Sequence, residues 1–185
     1  MADLMEECTM KHARIKIRKW LVRTFDIQPR DMRCGCICGA WMLITAIVVR
    51  LLSGSPYRVY FLLRGARMLP PLIFLMVINL LFTVGMGFAC GIALSFRKKH
   101  ACEVRYRAGM LTVFWALCWF AAYPLAFRGS MLVACFLSLC AAWALSFFAM
   151  LLYFRIQALS AWISAFFLMW QTYQIILLMG CILWL

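Results

Sequence analysis

Uncharged runs divide this chain. Residues 68–96, 108–127, 129–154 and 156–185 contain no Asp, Glu, Lys or Arg, and a shorter run of 16 residues separates Arg33 from Arg50. An α-helix rises about 1.5 Å per residue, so about 20 apolar residues cross a bilayer core once. None of the long runs carries the polar interruption that two crossings would need. The pattern predicts an all-α, multi-pass membrane protein built as a five-helix bundle. Its spans are expected over about residues 34–53, 70–96, 108–127, 130–153 and 157–183. The first span is the weakest, because Arg50 ends it with only Leu51 and Leu52 beyond.

Composition agrees with a chain solvated by lipid along its runs and by water at their ends. Of the 185 residues 67% are hydrophobic, yet the net charge is +13; a soluble domain is about half apolar. In a five-span chain, residues 1–33, 97–107 and Arg155 share one side and hold eight, five and one Lys/Arg. The other side holds Arg50, Arg58, Arg64, Arg67 and Arg128. The positive-inside rule then predicts a cytoplasmic N-terminus and an outside C-terminus. The expected residence is a bacterial plasma membrane.

Residues 1–33 are expected to form a basic amphipathic segment on the membrane surface, ahead of a bundle over 34–185. Within residues 9–25, Ala13, Ile17, Trp20, Leu21 and Thr24 fall on one helical face, with Lys11, Arg14, Arg18 and Lys19 largely elsewhere. Such a helix lies on an anionic leaflet with its Trp at headgroup depth. The basic excess is thus expected to face lipid and not nucleic acid. Three other readings are open: a regulatory tail, a start placed too early (Met10 and Met32 are alternatives), or an organelle targeting peptide. Asp3, Glu6 and Glu7 weigh against the last.

Of the ten cysteines, Cys90, Cys118, Cys135, Cys140 and Cys181 lie within spans, where Cys packs as a small residue. Cys34, Cys36 and Cys38 form C-x-C-x-C at the mouth of the first span. Neighbours in that series point about 200° apart on a helix, so they do not converge on one metal. Packing is the leading reading there, with reversible palmitoylation as the alternative. Gly35-x-x-x-Gly39 and Gly87-x-x-x-Gly91 mark seams where helix backbones approach closely. Packing inside the bundle is the first reading, and a homodimer the second.

The connection before the second span sets Tyr57, Tyr60 and Phe61 beside Arg58, Arg64 and Arg67, and Pro70 and Pro71 then open the span. It reads either as an interfacial aromatic belt or as a lid, including Tyr60, Pro70 and Pro71, over a bundle cavity. No enzyme motif, metal set or required cofactor appears. His12 and His100 sit in basic aqueous segments, and every carboxylate (Asp3, Glu6, Glu7, Asp26, Asp31, Glu103) lies on the cytoplasmic side. Cores without acid, Lys or His disfavour ion-coupled transport. The spans carry instead Asn79, Trp115 and Trp119 on a shared face, Trp143, and the cluster Phe166, Phe167, Trp170, Gln171 and Gln174. These read either as bundle packing with amide cross-links, or as an aromatic-walled pocket for a flat apolar ligand.

Several of these features together resemble the TspO/MBR family of tryptophan-rich sensory proteins and the mitochondrial translocator protein. They are five spans in this length, a P-P pair opening the second, Met86-Gly87 further along it, and R-I-x-x-L-S leading to a fifth-span Trp. The resemblance runs from about Gly54 to the C-terminus. V-Y-F-L-L-R looks like the family's W-Y-x-x-L-K. W-A-L-C-W-F-A-A-Y-P-L-A-F looks like Q-L-x-x-N-x-x-W-x-P-x-F-F, and F-F-L-M-W stands where the family has P-Y-L-x-W. The chain has Val59 and Asn79 where the family has Trp, Trp115 and Trp119 where it has Gln and Asn, and Leu178 in place of an Asn. It is similar to a remote branch.

The resemblance implies a five-helix binding protein for a planar hydrophobic ligand, a tetrapyrrole such as haem or protoporphyrin, or a sterol. The residues expected to bind it are Asn79, Trp115, Trp119, Phe166, Phe167, Trp170 and Gln174. A porphyrin-degrading activity is known in the family, and only part of its pocket motif is kept. The competing readings are a small membrane protein acting through protein partners and an uncoupled exporter of hydrophobic compounds.

Overall fold

A computed structural model of the chain describes residues 28–54, 70–96, 102–127 and 131–184. They form five helices: α1 (Pro29–Ser53), α2 (Leu72–Ser95), α3 (Cys102–Phe127), α4 (Leu132–Ile156) and α5 (Ala158–Trp184). All five are long and apolar enough to cross a membrane. The protein is an integral membrane bundle of the expected class. The surface helix expected over residues 9–25 and the loop residue Tyr60 lie outside the described residues.

Two helices begin earlier than the uncharged runs do, because their first turns are charged yet still helical. α1 starts at Pro29, where the ring presets φ and the missing N–H had no acceptor to lose. In its first turn Asp31 Oδ2 accepts the Gln28 N–H at 3.0 Å, and Asp31 Oδ1 accepts the Ser95 hydroxyl at 2.7 Å. One carboxylate thereby caps α1 and ties it to the end of α2. The boundary expected at residue 33 therefore falls inside a helix. α3 starts at Cys102 instead of 108, with Glu103 and Arg107 paired one turn apart on its exposed face. Arg105 donates to the Phe96 carbonyl at 2.9 Å, just past the end of α2. Pro71 is the N-cap of α2, so helical geometry starts one residue after the proline pair. α1 stops at Gly54, whose φ of 93° is a conformation that side-chain-bearing residues rarely adopt. α4 and α5 meet at Gln157 alone. Its N–H bonds the Tyr153 carbonyl at 2.7 Å, and its Oε1 accepts the Ser160 N–H at 2.9 Å.

The helices close a ring in the order α1, α2, α5, α4, α3, with α3 returning to α1. Both glycine seams are used, and they face each other. A Cβ at Gly91 would stand 2.5 Å from the Cys34 carbonyl oxygen, and one at Gly87 2.8 Å from that of Cys38. Gly35 and Gly39 lie against Phe88 and Val84 from the other side. The α1–α2 backbones approach so closely because all four positions lack a side chain. Cys34 and Cys38 therefore flank this seam, while Cys36 is exposed. Among the described residues no group of His, Cys, Asp or Glu converges as a metal site. Large apolar side chains such as Leu51, Ile73 and Met169 face outward, more than two-thirds exposed. In a bundle with no water around its middle, that surface meets acyl chains.

Candidate functional site

Helix periodicity turns a set of aromatic and amide residues inward on three helices. On α3, Trp115 and Trp119 are one turn apart and share a face. Both are fully buried, their rings stacked with centroids 6.2 Å apart. On α5, Phe167 is fully buried and meets both edge-on, at 5.1 and 5.3 Å. Phe82 of α2 touches Phe167 edge-on at 6.1 Å and stacks on Trp170 at 5.9 Å. α3 and α5 thus meet across the ring through these side chains. Phe166 does not join them. It stands about 100° further round α5 than Phe167 and is 60% exposed on the outer face.

The polar residues of the interior are paired across neighbouring helices. Asn79 Oδ1 accepts from Trp170 Nε1 and from Gln174 Nε2, both at 2.6 Å. Thr83 donates to the Asn79 carbonyl at 2.7 Å and accepts from Trp119 Nε1 at 3.1 Å. Ser146 donates to Gln171 Oε1 at 2.7 Å; on the exposed side, Trp143 Nε1 donates to Thr172 at 2.9 Å. Thr112 and Tyr153 join α3 to α4 at 2.5 Å. Buried polar groups need such partners. Trp115 Nε1, Gln171 Nε2 and Gln174 Oε1 still have none among the described residues.

Between α1, α2 and α3 lies a cavity of about 390 Å³. Its apolar wall includes Ala46, Ile47, Met76 and Leu80, and its polar lining is Arg50, Asn79, Thr83 and Tyr123. Met76 is within two turns of Pro71, so the cavity sits at the end of α2 that the proline pair opens. Arg50 lies with its guanidinium carbon 5.5 Å from the centre of the Tyr123 ring, a cation–π contact that closes α1 onto α3. A larger groove of about 530 Å³ on the outside of α3 and α4, with Arg107 and Arg155 at its rim, includes none of the residues expected in a site.

Of the residues expected in a binding site, Asn79 lines the cavity, and Trp170 and Gln174 reach it through Asn79. Trp115, Trp119 and Phe167 fill the core beside it. Thr83 and Tyr123 carry no sequence signal of a site, and Arg50 reads in sequence as the polar end of a span. A signal for Arg50 was available: an arginine followed by two leucines sits inside an apolar helix, and ionisable residues at such positions mark sites. Comparison with known proteins finds no matching family model, no matching curated protein and no matching solved structure.

Proposed function

We propose that this protein is a membrane-embedded binding protein of TspO/MBR type for a planar hydrophobic ligand, tetrapyrrole- or sterol-like. The observation that carries the reading is the cavity at the Pro70–Pro71 end of the bundle. It is mostly apolar, with a few convergent polar groups, and its volume lies within the range of small-molecule sites. A tightly packed bundle with an outward glycine seam would have favoured a protein partner instead; here the four seam glycines are spent on α1–α2 packing. On this reading the chain sits in a bacterial plasma membrane with its N-terminus in the cytoplasm, the side the excess of Lys/Arg favours, and with residues 9–25 facing an anionic leaflet. The ligand is held by ring contacts and apolar burial. Both histidines lie outside the described helices, and Cys90 packs with Phe96 and Tyr153 at the opposite end of the bundle.

The test uses the protein's own tryptophans. Protoporphyrin titrated into the purified chain should quench their emission saturably. Trp170→Ala should weaken binding by about 1 kcal/mol, because its Nε1 no longer orients Asn79 in the cavity wall. Unchanged affinity in a variant that keeps the wild-type helicity would remove Trp170 from the site. No quenching in either protein would turn the reading toward a protein partner.

A further inference from the structure

Each unpartnered polar group of the cavity can donate a hydrogen bond. Arg50 Nε is buried without a hydrogen-bond acceptor among the described residues, and its guanidinium lies over the Tyr123 ring. Two N–H donors converge on Asn79 Oδ1, which fixes the amide so that its NH₂ is the free end. No hydrogen bond of that NH₂, or of the Tyr123 hydroxyl, joins another described residue. Thr83 is already satisfied as donor and acceptor. What remains for an occupant is a cation, an amide donor and a phenol. Charge balance at this end of the bundle points the same way. Asp31 and Glu103 stand at the opposite end, in the first turns of α1 and α3. Asp3, Glu6, Glu7 and Asp26 precede α1, while the connections 55–69 and 128–130 contain arginines and no acid. A guanidinium turned into an apolar cavity is costly unless a counter-charge or a hydrogen-bond acceptor reaches it.

We propose that this cavity takes the anionic head, a carboxylate or a phosphate, of an amphiphile, with Arg50 as its fork-shaped donor and Asn79 and Tyr123 as neutral ones. Arginine matches either head with two parallel N–H bonds. The ring or chain of the same molecule lies along the apolar wall of Ile47, Met76 and Leu80. The inference rests on the ligand-binding reading above and narrows it, from a greasy ligand to an acidic one.

The experiment compares acidic and neutral forms of the same body. The full chain in a nonionic, phosphate-free detergent is titrated with protoporphyrin and its dimethyl ester, and with an oleoyl lysophosphatidate and the corresponding monoacylglycerol. Tryptophan emission is the readout. In at least one pair the acid should bind about tenfold tighter or more than its neutral form, the scale of a hydrogen bond to a charged group. Arg50→Gln should abolish that preference, so that acid and neutral form bind alike, and Arg50→Lys should restore part of it. Preference confined to the phosphate pair identifies a lipid headgroup as the source, and preference confined to the porphyrin pair identifies a free carboxylate ligand. Equal binding of acid and neutral forms by the wild-type chain overturns the inference and leaves the ligand-binding reading standing. Binding of none of the four overturns both. The wild-type comparison holds even if Arg50→Gln fails to fold.

Discussion

Asn79 concentrates more of this bundle's polar organisation than any other described side chain. One oxygen takes two donors from α5, from residues one helical turn apart, and its backbone carbonyl takes the Thr83 hydroxyl. Asn79→Ala strands Trp170 Nε1 and Gln174 Nε2 in the interior. Interhelical hydrogen bonds in membranes are worth about 0.6 kcal/mol on average and up to about 1.7. The substitution should therefore cost about 1–3 kcal/mol, measured as a lowered unfolding midpoint in detergent. Thr83→Val strands one donor, Trp119 Nε1, and should cost about half as much. An equal loss from both would mean that the Asn79 oxygen is not the shared acceptor. The inward face of α5 was legible in the sequence, because Phe167, Trp170, Gln171 and Gln174 recur at helical spacing. The bond from Asn79 was not. Its partners are more than 90 positions away, and helical periodicity reports which way a residue faces on its own helix but nothing of the helix opposite.

At the level of helices, count and type were readable because a lipid-crossing segment must be long, apolar and internally hydrogen-bonded. Their ends were less so. Asp31 and Glu103 look like the end of a span by charge, but they sit in first turns, where an acid is favourable to the helix. The pairing of the two glycine seams was also only half visible: the spacing marks a close approach without naming the partner. It gives graded expectations. Gly91→Ala and Gly87→Ala push a methyl into the backbone of α1 and should be the most damaging. Gly39→Ala meets its nearest atom at 3.3 Å and should be milder. Gly180 has nothing within 4 Å, so Gly180→Ala should be neutral or stabilising by up to about 1 kcal/mol. Thermal unfolding of the four variants checks the series. Equal tolerance of Gly91→Ala and Gly180→Ala would contradict the α1–α2 interface.

For the whole molecule, five spans among the described residues and a fourteen-to-five division of Lys/Arg predict the orientation. A reporter active only in the cytoplasm should work at the N-terminus and stay silent after Leu185. Activity at both ends would mean an even number of spans. The ring of five helices leaves an aromatic core and, beside it, a largely apolar cavity whose unpartnered polar groups can each donate a hydrogen bond. If that cavity holds a planar ligand by its ring and its acidic head, the iron of haem contributes little, and a strong preference for haem would point instead to axial ligation by Tyr123 or a cysteine. Visible-range absorbance titrations of the purified protein with haem and with metal-free protoporphyrin put this to the test. Saturable binding of both in the micromolar range, with closely similar Kd values, is the predicted result. No saturable binding of either compound would contradict it and leave the Trp115, Trp119 and Phe167 cluster as core packing alone.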